Sequence, residues 1–292
     1  MDWKNRRLGV AAIAVVALLV LPATAGAAKV TVLGSGSSAI QPYLEVLFKG
    51  YKKIEPNVNF VYNANNGNAG VKDVQAGRSA FALQTRPPVP SDTGTTYTKL
   101  FLDGLCIAVN PANKLTNLPI STVKDIYTTN TTDWSNVPGS GLSTTISVFG
   151  RFPTAGLYTF FQSAVLGGAS PGSNVTPLDK DGEVAVAVKG NPNSIGYVGL
   201  ANSRPGSGVK RLNLNGQPCQ ASAIKTLRYP LSRYAWFVLP TNNPSRIAQR
   251  FGDWIRTSYD AGVIVDEAGA VPIYNATKKP VVKKTTKKKK KK

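Results

Sequence analysis

Histidine is absent from the 292 residues, cysteine occurs twice, methionine once, and 15 acids stand against 35 lysines and arginines. Without histidine there is no Ser–His–Asp triad, no imidazole metal ligand, and none of the side chain that most often moves protons in enzymes. Two cysteines alone build neither a zinc site nor an iron–sulfur cluster. Acids that could act in pairs are few. Asp179, Asp181 and Glu183 fall in a turn-rich stretch that reads as a solvated loop, and Asp266-Glu267 reads as a charged helix end. The expectation is a protein that is not an enzyme and has no metal or cofactor.

The charge that is present is unevenly placed. Of the net +20, ten units are lysines in the last fifteen residues, Lys278 to Lys292, which hold no acid. Residues 1–28 add two more, so residues 29–277 carry +8, and whole-chain charge is a poor argument for nucleic acid. The tail contains only Lys, Thr, Val and Pro and cannot build a core, so residues 278–292 read as disordered. One partner for it is an anionic cell-surface polymer.

Residues 1–27 read as an export signal. Lys4, Arg6 and Arg7 precede an uncharged, mostly apolar run from Leu8 to Leu21, Pro22 breaks it, and Ala25-Gly26-Ala27 supplies an A-x-A cleavage site. The run is shorter than the ~20 residues that span a bilayer, and no later run reaches that length. The expected location is periplasmic, cell-surface or secreted. Export permits a Cys106–Cys219 disulfide, the alternative being two buried thiols.

Early in the chain, strands and helices alternate. Val30–Leu33 is β-branched. Leu44, Leu47, Phe48 and Tyr51 repeat at helical spacing over Pro42–Lys53, Val58–Tyr62 alternates, Ala69–Ala76 looks helical, and Phe81–Leu83 is a short strand. This is the signature of an α/β sheet. Further strands are expected at Leu105–Val109, Ile146–Phe149, Ser194–Val198 and Trp236–Leu239, with helices at Tyr158–Val165 and Ile247–Ser258.

Three loops between a strand and a helix are rich in small residues. Gly34-Ser35-Gly36-Ser37-Ser38-Ala39 fits the spacing of a dinucleotide fingerprint, but the next strand ends in Asn63-Ala64-Asn65-Asn66 and not in the acid that ribose recognition needs. What survives is an anion-friendly helix start. The same construction recurs at Asn65 to Gly70 and at Arg151 to Gly156, where the arginine adds a fork of donors for an oxyanion.

The order of these segments resembles the phosphate-binding protein family of ABC importers. Gly34–Pro42, Gly67 to Lys72, Gly77 to Pro87, Leu105 to Pro111, Asp125-Ile126-Tyr127 with Thr132-Asp133-Trp134, Arg151 to Gly156, Ser194-Ile195-Gly196-Tyr197-Val198 and Tyr229-Pro230-Leu231-Ser232-Arg233 carry the likeness over nearly the whole mature chain. The resemblance implies an α/β, two-lobed type II periplasmic binding protein fold, each lobe a mixed sheet flanked by helices. Residues 28–106 and 232–277 are expected in lobe 1, and 107–231 in lobe 2. It implies a monomer that serves ABC importer membrane subunits and binds phosphate or another oxyanion in an interlobe cleft. The ligand-binding positions would be Ser38, Ala39, Gly67, Asn68, Thr85, Arg86, Arg151, Ala155, Gly156 and Leu157. Four depart from the family pattern: Gly67, Ala155 and Leu157 replace hydroxyl residues, and Thr85 replaces the aspartate that accepts a hydrogen bond from protonated phosphate. At roughly 1.5–3 kcal/mol for each charge-assisted hydrogen bond, four independent losses would remove most of a micromolar affinity, itself about 8 kcal/mol. Arg86 is a candidate second positive charge. The alternative expectation is a secreted or surface-attached relative whose ligand has changed or been lost.

Overall fold

The computed structural model describes residues 28–273. The export signal and the lysine tail lie outside the described residues.

The order of elements is β1 (Val30–Gly36), α1 (Gln41–Tyr51), β2 (Val58–Asn63), α2 (Gly67–Gln75), β3 (Phe81–Gln84), β4 (Thr95–Val109), β5 (Asn117–Leu118), α3 (Ile120–Tyr127), β6 (Ser147–Arg151) and α4 (Gly156–Ala164). Then follow β7 (Val175–Leu178), α5 (Asp181–Gly190), β8 (Ser194–Gly199), β9 (Lys210–Arg211), β10 (Asn213–Leu214), α6 (Ala221–Lys225), β11 (Ser232–Pro240), α7 (Arg246–Thr257), α8 (Tyr259–Glu267) and β12 (Val271–Pro272). The main sheet runs β2-β1-β3-β11-β4-β8-β6-β7. At one end β1, β2 and β3 pair in parallel, at the other β6, β7 and β8 do, and the antiparallel strands β11 and β4 join the two.

Strand β4 is the hinge of this plan. Its first part, Thr95 to Gly104, pairs with β11, and its last part, Leu105 to Val109, pairs with β8. Each half-sheet has its own core. In one, Leu44, Leu47, Phe81, Phe237 and Phe251 pack under α1 and α7, whose apolar residues recur at helical spacing. In the other, Ile107, Ile126, Trp134, Phe161 and Tyr197 pack between α3, α4 and the second half-sheet. Cys106 and Cys219 form a disulfide that ties the segment before α6 to β4.

Expected elements are found with small boundary shifts; the longer ones not foreseen are the first part of β4, α3, α5 and all but the end of α8, and the short β5, β7, β9, β10, α6 and β12 were not foreseen either. Helix α5 is a correction. Asp181 opens it and is fully buried, so the stretch around Asp179 and Glu183 is not simply a solvated loop. Trp134, in the motif that follows α3, is fully buried in the core.

Parallel strands with helices following them put helix starts at the carboxyl ends of the strands, the edge where open α/β sheets bind ligands. Here β1 leads into α1, β2 into α2, β6 into α4 and β7 into α5. Close approach is made possible by glycine. Gly36 has φ +122° and a Cβ there would stand 2.3 Å from the Leu83 carbonyl oxygen, while a Cβ on Gly70 would reach Gly36 itself at 2.5 Å.

Candidate anion-binding cleft

The first N–H groups of a helix have no intrahelical partner, so facing helix starts form an electropositive, donor-rich space. The starts of α1 and α5 face each other: the backbone N–H of Asp181 donates to Ser38 Oγ across 3.1 Å. Ser38 is buried and keeps its own hydroxyl proton to give. Ala39, also buried, approaches Gly199, where an added Cβ would sit 3.1 Å from the Ala39 methyl.

The starts of α2 and α4 face each other around one side chain that sequence reasoning missed. Gln84 at the end of β3 is fully buried. Its Oε1 lies 2.3 Å from where a Gly67 Cβ would stand and 1.8 Å from where a Gly156 Cβ would stand. Both helices therefore open on glycine because this carboxamide fills the gap between them. Gln84 Oε1 accepts from the Thr85 N–H at 2.8 Å, and its Nε2 donates to Asn68 Oδ1 at 3.0 Å. Beside it the Thr85 hydroxyl is buried without a hydrogen-bond partner and would stand 3.0 Å from a Gly156 Cβ.

Arg151 lies at the end of β6, held there by a hydrogen bond from its N–H to the Tyr197 hydroxyl at 3.0 Å. Tyr197 is itself fixed by stacking on Phe161, ring centroids 4.1 Å apart. The guanidinium is buried and donates to the Leu178 carbonyl at 3.1 Å, to the Asp179 carbonyl and to Asn66 Oδ1. The Asp181 carboxylate stands 3.8 Å away. Burial lowers the Arg151 pKa from its ordinary value and Asp181 opposes that shift. Burial likewise raises the Asp181 pKa, against Arg151, the Asn202 amide and the Gly199 N–H. Asn66 caps α2 with φ 78°, a conformation most side chains avoid, and its Nδ2 donates to Asp179 Oδ1 at 2.9 Å.

Asn68 bridges the same space further out. It donates to the Pro153 carbonyl and to Thr159 Oγ1, and accepts from Arg86 Nε at 2.8 Å. A cavity of about 480 Å³ opens at this edge, with Asn68, Lys72, Arg86, Asp92, Pro153 and Thr159 among its walls. Arg86 does not supply the free second charge expected of it. Asp92 binds its guanidinium through two oxygens at 2.7 and 3.1 Å, and the Pro87 carbonyl takes a further bond.

The other expected positions divide cleanly. The Ala155 N–H is already given to the Phe152 carbonyl, and the Leu157 side chain packs in the core, leaving its backbone as its contribution to the helix start. Ser38, Gly67, Asn68, Thr85, Arg151 and Gly156 are brought together through Gln84, Asn66 and Asp181. Of those three, Asp181 had a signal in the sequence, since Val184, Ala185 and Val188 follow it at helical spacing. Asn66 lies in the small-residue loop that opens α2, and Gln84 had no signal. Among the described residues there is no group of three His, Cys, Asp or Glu able to hold a metal, and no helix long and apolar enough to cross a membrane.

Two parallel half-sheets joined by crossing strands, with helix starts from both meeting at one cleft, define the type II periplasmic binding protein fold. The chain belongs to the PBP superfamily, whose domain model matches residues 22–258. It is 22% identical over 244 residues to the phosphate-binding protein PstS of Bacillus subtilis, covering 82% of this chain and 79% of that one. The PstS of Borreliella burgdorferi is 23% identical over 252 residues, with 82% and 88% covered. Among solved structures, a Clostridium perfringens protein assigned as a phosphate ABC transporter substrate-binding protein, with bound phosphate, superposes with TM-score 0.79 at 24% identity, covering 84% of this chain and all of that one. An ABC-type phosphate transport receptor from Vibrio cholerae gives 0.67 at 22% identity, with 82% and 99% covered. These relatives are binding proteins, and the family is the one that the sequence motifs resemble.

Proposed function

We propose that the protein is an exported solute-binding protein that captures phosphate or a related oxyanion between its lobes and delivers it to the membrane subunits of an ABC importer. The observation that carries this reading is the buried Thr85 hydroxyl, without a partner, beside the glycine that opens α4. Arg151 and the helix start of α2 belong to the same site. Residues 28–106 with 232–277 form one lobe in this reading and 107–231 the other. The exchange of pairing partners at Gly104 and Leu105 and the two separate cores support that division.

Capture works by closure. Ser38, Asn66, Asn68 and Thr85 come from one lobe and Arg151, Gly156 and Asp181 from the other. Hydrogen bonds already cross between them at Ser38–Asp181, Asn66–Arg151 and Asn68–Thr159. An anion that accepts from both sides stabilises the closed arrangement by its differential affinity for it. Titration calorimetry on the mature chain with phosphate, arsenate, sulfate and molybdate tests this. Saturable heat with phosphate that disappears in Arg151→Ala is the expected result, and no heat with any of the four ends the reading.

A second reading is favoured by the partners that Arg151 and Arg86 already have. In it the protein is a surface-attached relative that has lost the anion, held to anionic polymer by Lys278–Lys292. The same calorimetry decides between the two.

A further inference from the structure

The carboxamide of Gln84 lies where the site of the proposed function would hold its ligand. It is wedged between the first residues of α2 and α4, so close to both that neither Gly67 nor Gly156 can carry a side chain while Gln84 is in place. Its oxygen takes a backbone N–H, that of Thr85, as an oxyanion's oxygen would. Its amide nitrogen is held by Asn68, the residue that also bridges to Thr159 on the other side of the cleft. The neighbouring Thr85 hydroxyl has nothing to bond to, although it is fully buried. A group that satisfied Thr85 at the start of α4 would need the volume that the end of the Gln84 side chain takes up.

We propose that Gln84 is an internal, displaceable occupant of the anion site, and that the work of moving it sets the affinity and the size limit for the ligand. This rests on the oxyanion-binding reading above. A glutamine side chain is suited to the role. It is uncharged, so it leaves the starts of α2 and α4 without an anion, and a divalent anion gains more there than the amide does. It has three rotatable bonds, so its end can reorient without moving β3, and Asn68, its hydrogen-bond partner, lines the neighbouring cavity. The occupant also explains why residue 67 is glycine. A serine hydroxyl at that position and the Gln84 amide would compete for one volume, so the residue at 67 and the residue at 84 are two halves of one arrangement.

Displacing the amide gives up two hydrogen bonds, so removing the need for displacement should tighten phosphate binding about tenfold or more. The test compares the mature protein with Gln84→Ser and Gln84→Asn, using phosphate as the probe in calorimetry, with thermal melts to confirm that each variant unfolds cooperatively. Gln84→Asn shortens the plug by one methylene and keeps an amide, so it reports even if the serine variant folds poorly. The expected result is tighter binding in both, strongest in Gln84→Ser, with a further gain when Gly67→Ser is added to Gln84→Ser. Appearance of binding in Gln84→Ser where the parent shows none supports the proposal equally. Parent binding that neither variant improves overturns displacement alone and leaves the phosphate reading standing. If no anion binds to the parent or to either cooperatively folded variant, both fall.

Discussion

Asp181 is the residue whose replacement most directly separates a folding role for the buried arginine from a binding role. Changing it to asparagine keeps the shape and one acceptor oxygen for the Gly199 N–H, but removes the negative charge 3.8 Å from Arg151. Removing one partner of a buried ion pair costs about 3–5 kcal/mol. The lower end, about 3 kcal/mol, applies because Arg151 keeps its bonds to the Leu178 carbonyl and Asn66. For a domain of this size that is a fall in Tm of roughly 6–12 °C. Affinity should move the other way. Taking a unit negative charge from the neighbourhood of an incoming anion is worth about 1.7 kcal/mol even at ~10 Å, at an effective dielectric constant near 20. That is at least a tenfold tighter Kd, tenfold being about 1.4 kcal/mol. Saturating phosphate should then protect the variant by about 1.4 kcal/mol more than it protects the parent, an extra ~3–6 °C in Tm. The assay is a thermal melt of Asp181→Asn and parent across a phosphate titration, with calorimetry for Kd. If the variant melts cooperatively but binds phosphate more weakly, or if phosphate protects both proteins equally, the pair serves only to dock α5. The argument that Arg151 waits for an anion would then be wrong.

Two further predictions concern stability. The Cys106–Cys219 disulfide closes a loop of sequence separation 113. Chain entropy puts the worth of such a loop at about 5 kcal/mol, and measured losses for native disulfides run to about 2–5 kcal/mol. Urea unfolding of the double variant Cys106→Ala/Cys219→Ala should show a loss in that range, and less than about 1 kcal/mol would contradict it. Asp92 is the pH-sensitive member of the Arg86 pair. Burial pushes its pKa up, but bonds from Arg86, the Val89 N–H and the Tyr97 hydroxyl outweigh burial and hold it below 3.8. A carboxyl lowered in the folded state contributes stability that is present above the unfolded pKa and lost as pH falls through the folded one. Stability should therefore drop below about pH 4, and less steeply in Asp92→Asn. Identical acid limbs for the two proteins would exclude this group as a source.

What was legible in the sequence follows from the physics of each signal. Helices α1 and α7 bury one face against a core, so Leu44, Leu47 and Tyr51, or Phe251 and Ile255, recur at helical spacing and can be read directly. The first part of β4 begins Thr-Thr-Tyr-Thr-Lys, half-exposed and without an apolar alternation, and it is a strand because β11 pairs with it along its length. The start of α5 was hidden because Asp, Gly and Glu there resemble a loop. Only the fold reveals that Asp181 is buried against Arg151 and the Gly199 N–H. Arg151 itself was legible from its place between a strand and a glycine. That Arg86 is spent was not, since Asp92 reaches it by a turn after a proline pair that has no pattern of its own.

The treatment of the cleft as four separate losses is the part that the structure changes most. Summing a fixed cost for each missing hydroxyl or carboxylate assumes that the positions act independently, and residues in contact seldom do. Gly67 touches Gln84, and Gln84 bonds the backbone of Thr85, so two of the four positions meet at one side chain, which also packs on Gly156. A serine restored at 67 alone would gain no ligand contact, because it would first collide with the amide 2.3 Å away. Ala155 offers no backbone donor in place of the lost hydroxyl, since its N–H is already bound to the Phe152 carbonyl. The departures thus describe one rebuilt pocket, whose affinity depends on the cost of emptying it and not on a count of absent donors. Back-substitutions made singly should accordingly fail to add up, and the pair Gly67→Ser with Gln84→Ser should exceed the sum of its parts.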